Sequence, residues 1–144
     1  MKRIISIFTV VLIGGLARAQ TIKESSVPAA VKTMLFSQYP NIKVTKWEKK
    51  KADYLSKFDE NNVSICVVID SNGNWVKTKA HIDASLLPKT AGNYMKKTYP
   101  KKKITDASKV SNSEGKVSYE AKVGDNTIVY FDAESNFTSA GNDK

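Results

Sequence analysis

The feature that most constrains this 144-residue chain is an internal repeat. Three dipeptides recur at a spacing of 60 residues: Val27-Pro28 as Leu87-Pro88, Tyr39-Pro40 as Tyr99-Pro100, and Val44-Thr45 as Ile104-Thr105. Further along, Asp70-x-x-x-Asn74-Trp75 recurs as Asp132-x-x-x-Asn136-Phe137 at a spacing of 62. Ordered matches at nearly constant spacing are typical of a duplicated folding unit. We therefore predict one unit written twice, over residues 25–82 and 85–138.

Each unit is predicted to begin with a helix. In the first unit, apolar residues recur at helical spacing and form one stripe: Val27, Ala30, Val31, Met34 and Leu35. Ser25 or Ser26 is the expected cap, and Pro28 is expected in the first turn. Pro40 ends the helix because a proline disfavours the helical conformation in the residue before it. The second helix is predicted from about Ser85 to Pro100.

Strands follow each helix. The first unit is predicted to form a hairpin of residues 43–49 and 53–59 over Lys50-Lys51-Ala52, then strands at 62–70 and 75–80. The second unit is predicted to repeat them at 103–110, 116–123, 126–132 and 136–138. A four-strand meander with one helix covers one sheet face, and a 60-residue unit has a marginal core. The prediction is an α+β fold in which both units form one antiparallel sheet with both helices on the same face.

The N-terminus has the order of a secretory signal peptide. Met1-Lys2-Arg3 is a positive start, an apolar run over 4–16 follows, and Ala17-Arg18-Ala19 is a small-x-small cleavage site. The run is shorter than the roughly 20 residues of a spanning helix, which makes a retained anchor the weaker alternative. We predict cleavage after Ala19 and a periplasmic or secreted mature chain over 20–144, with one domain over 20–138 and a flexible tail over 139–144.

Charge limits the classes of partner. Three of the 23 cationic side chains lie in residues 1–19, so the rest of the chain carries 20 lysines against 14 carboxylates, a net charge of +6. Both arginines lie in the signal segment, and phosphate and guanine recognition favours the planar fork of arginine. A nucleic-acid partner is therefore not expected. Lysine runs leave an anionic lipid or polysaccharide of the cell envelope as an alternative partner.

No catalytic or metal constellation stands out. Cys66 is the single cysteine and is interpreted as a small buried hydrophobe. His81 is the single histidine, with no second ligand at a usable spacing. Asp70-x-Asn72-x-Asn74 resembles the start of a calcium loop, but Trp75 and His81 occupy positions where that loop needs other residues, so turn chemistry is the preferred interpretation. The chain is predicted to be no enzyme and to use no cofactor.

The repeated pattern resembles a known family. Val27-Pro28, Tyr39-Pro40, Tyr54-x-x-Lys57-Phe58 and Asp70-x-x-Gly73-Asn74-Trp75, with their second copies, are similar to the PepSY-like proteins of the bacterial envelope, related in fold to the β-lactamase inhibitor protein. The resemblance implies a duplicated sheet and an inhibitory or escorting role, as in the PepSY domains of protease propeptides. The second copy departs from the pattern, with Ala133-Glu134-Ser135 at the turn and no counterpart of Trp47.

The sheet face without helices is the predicted binding surface. Its candidate residues for a protein or peptide partner are Trp47, Leu55, Lys57, Trp75, Lys77 and Tyr130. For the two tryptophans, packing under the helix is the open alternative to this role. The partner is expected to be an envelope protein, and the chain is expected to be a monomer or a weak dimer.

Overall fold

The computed structural model describes residues 18–142, so residues 1–17 of the predicted signal peptide lie outside the described part of the chain. The first half contains one helix, α1 (Ala29–Gln38), and five strands: β1 (Gln20–Ile22), β2 (Lys46–Lys50), β3 (Asp53–Glu60), β4 (Val63–Ile69) and β5 (Trp75–His81). The second half repeats the arrangement with α2 (Lys89–Thr98), β6 (Ile104–Asn112), β7 (Val117–Val123), β8 (Thr127–Phe131) and β9 (Phe137–Asn142).

The strands form one nine-stranded sheet in which each strand pairs with the next in sequence. Every pair is antiparallel, and the two halves join where β5 pairs with β6, with Lys79 opposite Val110 and His81 opposite Ser108. The short β1, which the sequence did not predict, adds to β2 at one edge, with Thr21 opposite Glu48.

Both helices cover the same face of this sheet, as predicted. The core beneath α1 is built from buried residues of the helix and of strands β2 to β4, among them Val31, Leu35, Trp47, Phe58 and Val67. The core beneath α2 is built from the corresponding elements, α2 and strands β6 to β8: Ala91, Met95, Ala107, Ala121, Val123, Val129 and Phe131. The helix-covered face of the first half continues into the second half, since Val67 of the first core pairs with Thr78 and Thr78 pairs with Ser111. Among residues 18–142, no helix or strand covers the opposite face.

The helices begin later than predicted. Glu24–Ser26 forms a single turn of 3-10 helix, and Pro28 is the N-cap residue of α1 with extended backbone angles. No side chain caps α1, so the prediction that Ser25 or Ser26 is its cap is wrong. The physical reason is that Pro28 keeps Val27 extended, which prevents a continuous helix through both. The helix ends as expected at Tyr39, whose N–H donates to the Leu35 carbonyl at 2.9 Å.

Residues 139–142, predicted to fray, instead belong to β9. Ser139 lies opposite Tyr130 and Asn142 lies opposite Thr127. The side chains of β9 are exposed, and its one large apolar contact is Phe137, which stacks on Tyr94 with ring centroids 4.8 Å apart. The strand satisfies the backbone N–H and C=O groups along the outer edge of β8, which explains why small polar residues form a strand here.

Candidate functional site

The open face of the sheet forms a groove of about 730 Å³. Its lining reaches from Glu48 in β2 to Tyr130 in β8, so side chains of both halves contribute to one concavity. A cavity of about 420 Å³ overlaps it, from Lys57 in β3 to Ile128 in β8. The groove follows from the one-sided helix layer: side chains alternate between the two faces of each strand, so those that do not reach the helices line the open face.

The groove combines apolar and charged side chains. The apolar part comes from Leu55, Cys66, Val68, Ile128 and Tyr130, which are half-buried apart from the buried Val68. Around them the lining holds five lysines and four carboxylates: Lys50, Lys51, Lys57, Lys77, Lys79, Glu48, Asp53, Asp106 and Glu120. The nearly balanced charge distinguishes this surface from a site for a polyanion.

Glu48 anchors one side of the groove. Its two carboxylate oxygens accept from Lys46 Nζ at 2.6 Å and from Lys57 Nζ at 2.9 Å, while only 8% of its side chain is exposed. Burial raises the pKa of Glu48, but the hydrogen bonds and charges of the two lysines outweigh burial and leave the pKa below its ordinary value. The carboxylate therefore stays ionised and holds Lys57 over the groove.

Lys79 and Glu120 form a second ion pair, which spans the joint between the two halves, with the lysine reaching from β5 across β6 to β7. Burial lowers the pKa of Lys79, and the Glu120 charge and hydrogen bond raise it by more, so the ammonium is retained. At the same end of the groove His81 Nδ1 lies 2.6 Å from Asp106 Oδ1, with both side chains half exposed. The charged groups are thus held in place by partners within the fold.

Cys66 lies between the two lysines that these carboxylates hold. Its direct cross-strand neighbours are Lys57 on β3 and Lys79 on β5. Burial raises the pKa of the Cys66 thiol, although the charges of both lysines act in the opposite direction. The thiol is therefore neutral near pH 7, and the structure gives no sign of an activated nucleophile at this position.

Trp47 is not on the open face. It is 4% exposed and belongs to the core beneath α1. The predicted three-residue loop would pair Trp47 with Leu55 and place both on one face. The actual loop has two residues, Lys50 pairs with Asp53, and Trp47 pairs with Ser56. A one-residue change in register moves a side chain to the other face, which is why the prediction for Trp47 is wrong.

Trp75 is also on the helix side, where it packs against the core and donates from Nε1 to Thr78 Oγ1 at 2.9 Å. A β-bulge separates it from Lys77: Ile69 pairs with Trp75 while Val68 pairs with Lys77. The extra residue puts Trp75 and Lys77 on opposite faces despite their spacing of two. The other four residues of the predicted site line the groove: Leu55, Lys57, Lys77 and Tyr130. Their role in binding stays a prediction.

The Asp70 segment is a turn held by its own carboxylate. Asp70 Oδ1 accepts from the backbone N–H groups of Asn72 and Asn74 at 2.8 and 2.9 Å, and Oδ2 accepts from the Asn74 side-chain amide at 2.9 Å. Asp132 and Asn136 repeat this arrangement. Within residues 18–142, no group of three or more His, Cys, Asp or Glu side chains lies close enough to hold a metal ion.

The groove residues that the prediction missed include Glu48, Cys66, Lys79 and Glu120. Two of them follow the alternation of a strand, since Cys66 lies next to the buried Val67 and Lys79 lies two positions after Lys77, which was predicted on this face. Strand periodicity was therefore a usable signal for these two. The Lys79–Glu120 pair joins residues 41 positions apart in sequence, and no local pattern signals it.

Comparisons with known proteins agree with this architecture. A solved periplasmic protein from Bacteroides eggerthii has a TM-score of 0.73 at 18% identity, over 81% of this chain and 88% of that one. A BLIP-like protein from Bacteroides fragilis has a TM-score of 0.63 at 22% identity, over 80% of this chain and 85% of that one. At these identities the likeness shows the fold. No curated protein matches the sequence.

The family profile described as beta-lactamase-inhibitor-like, PepSY-like matches the chain twice, over residues 16–68 and 66–139. In the part of the chain that the structure describes, no helix is long and apolar enough to cross a membrane. The two profile matches together span residues 16–139, which include the whole sheet apart from the end of β9. The chain therefore belongs to the beta-lactamase-inhibitor-like, PepSY-like family.

Proposed function

We propose that this protein is an exported, non-catalytic binding module that holds a segment of a protein partner in its open groove. The observation that carries the proposal is the groove itself, a concavity of about 730 Å³ on the sheet face opposite α1 and α2. Export is supported by the charged and apolar order of residues 1–19 and by a relative of the same fold that is described as periplasmic.

The lining favours a protein segment over a polyanion. A polyanion placed in the groove would meet Glu48, Asp53, Asp106 and Glu120 as well as the lysines. A protein segment carries both signs of charge together with apolar side chains, and it can match the lysines while covering Leu55, Val68, Ile128 and Tyr130. Electrostatic complementarity of this mixed kind gives specificity between proteins. The expected partner is an exported protein with a protruding apolar and acidic segment.

A binding role also fits the chemistry of the groove. Glu48 and Glu120 are engaged in ion pairs, His81 faces Asp106, and burial keeps the Cys66 thiol neutral. These groups stabilise one another, which leaves a preorganised surface. Preorganisation lowers the entropy that is lost when a partner binds.

The test compares two surface variants in the chain that begins at Gln20. The groove variant is Leu55→Ala with Tyr130→Ala, and the control is Leu86→Ala, a residue 68% exposed outside the groove lining. Each immobilised protein is incubated with a periplasmic extract, and a captured protein is identified, purified and titrated by calorimetry. We expect the groove variant to weaken its binding at least tenfold while the control binds like the wild type.

Circular dichroism melting accompanies the titration. The melting temperature of the groove variant should change little because Leu55 and Tyr130 lie outside both cores. A partner that binds the groove variant as tightly as the wild type would exclude the groove as its site. A collapse of the groove variant on melting would show instead that these side chains support the fold, and Lys77→Glu would then test the surface without removing apolar contacts.

A further inference from the structure

The second half of the molecule carries a positive cluster that is separate from the groove. We define the α2 lysine cluster as five lysines at the C-terminal end of α2 and in the loop to β6: Lys96, Lys97, Lys101, Lys102 and Lys103. All five side chains are exposed. None of them lines the groove.

The duplication provides an internal reference for this cluster. The five corresponding positions of the first half, at a spacing of 60, are Phe36, Ser37, Asn41, Ile42 and Lys43. The first half builds the same helix, loop and strand with a single lysine among them, so the fold does not require the charges. At one position the second half lacks an apolar contact that the first half has: Ile42 packs against the first core, whereas its counterpart Lys102 is exposed.

The charges of the cluster are not neutralised locally. Among the described residues, the carboxylates with ion pairs are Glu48, Glu114, Glu120 and Asp106, and none of those pairs involves the five lysines. Lysines in the last turn of a helix interact favourably with its dipole, which accounts for Lys96 and Lys97 in part. It does not account for the three loop lysines, and α1 ends without any basic residue in its last turn.

We propose that the α2 lysine cluster docks the protein onto an anionic lipid membrane surface. Lysine is a compact point charge on a flexible stem, which suits a laterally diffuse array of phosphates better than one discrete anion. Clustered lysines beside an anionic bilayer are attracted additively. A sugar polymer is less favoured because sugar rings are usually held by exposed aromatic faces, and Tyr99, the aromatic residue within the segment 96–103, packs into the second core.

The experiment measures binding to vesicles with the chain that begins at Gln20, which contains every described helix and strand and lacks the apolar signal segment. Vesicles of phosphatidylglycerol mixed with phosphatidylcholine are compared with pure phosphatidylcholine vesicles by co-sedimentation. The cluster variant carries Lys101→Gln, Lys102→Gln and Lys103→Gln. A control variant with the same loss of charge carries Lys23→Gln, Lys43→Gln and Lys89→Gln, three exposed lysines at other places.

We expect the wild type and the control to bind the phosphatidylglycerol vesicles at low salt and not the neutral ones. Each lysine near the surface strengthens binding by roughly fivefold, so the cluster variant should bind about 100-fold more weakly. Binding of the wild type should fall steeply toward ~0.15 M salt, where the Debye length is about 8 Å.

Two results would overturn the proposal. Equal losses in the cluster and control variants would show that net charge, and not the cluster, is responsible. Tight binding of the wild type to dextran sulfate without binding to phosphatidylglycerol vesicles would assign the cluster to an anionic polysaccharide instead.

Discussion

The turn between β4 and β5 meets the first turn of α1 at a single glycine. Gly73 has a φ of +86°, and a Cβ atom built on it would lie 2.8 Å from the carbonyl oxygen of Ala30 and 3.0 Å from the Ala30 Cβ. The change Gly73→Ala therefore meets two obstacles, the left-handed backbone conformation and the close approach to helix backbone.

The magnitude follows from these two effects. An L-residue in the left-handed region costs about 1–2 kcal/mol, of which about 0.4–1 kcal/mol is recovered because alanine has less freedom than glycine in the unfolded chain. An extra methyl group in a packed site costs about 1–3 kcal/mol. Because the atom met first is backbone and cannot rotate away, we expect Gly73→Ala to lower the free energy of unfolding by roughly 2–3 kcal/mol.

Gly115→Ala is the matched control. Gly115 has a φ of +76°, and an added Cβ would meet nothing within 4 Å. Its cost is the backbone cost alone, about 1 kcal/mol or less. Ser135, the counterpart of Gly73 in the second half, has a φ of +69°, so Ser135→Gly should leave stability unchanged or slightly higher.

Urea unfolding followed by tryptophan fluorescence measures these differences, since Trp47 is buried in the core next to the turn. With a urea dependence of about 1–3 kcal/mol per molar, the midpoint for Gly73→Ala should fall by roughly 1–2 M. Equal shifts for Gly73→Ala and Gly115→Ala would refute the reasoning, because the contact with Ala30 would then contribute nothing.

Three further predictions concern the two sheet faces. Trp47→Ala should cost about 3–5 kcal/mol in urea unfolding and Leu55→Ala about 1 kcal/mol or less; similar costs would contradict the opposite placement of these residues. Glu48 has a lowered pKa, so it stabilises the fold above its ordinary pKa of 4.5, and that stability is lost as pH falls below it. Glu48→Gln should therefore flatten the acid side of the stability profile, and an unchanged profile would exclude the ion pairs as its cause. Burial raises the pKa of Cys66, so iodoacetamide should react with the folded protein more slowly at neutral pH than with the urea-unfolded chain. Lys57→Gln should slow this alkylation further; an acceleration would contradict the electrostatic argument.

Local patterns in the sequence determined much of the fold. Proline and tyrosine pairs end both helices, apolar stripes mark their buried faces, and the Asp70 and Asp132 turns follow from side chains that bond their own backbone. These signals act over a few residues, so they are readable without a structure. The duplication then predicted a one-sided sheet, because both helices had to cover the same face.

The tertiary structure decided which side chains line the groove. Trp47 lies on the helix face and not on the predicted open face because the β2–β3 loop is one residue shorter than predicted. Trp75 lies on the helix face because of a bulge near Ile69. The Lys79–Glu120 pair exists only because β5 and β7 flank β6 in the assembled sheet. Side chains alternate with a period of two, so a one-residue shift in pairing reverses a face while leaving local propensity unchanged. Register is set by contacts between strands, which the sequence of a single strand does not contain.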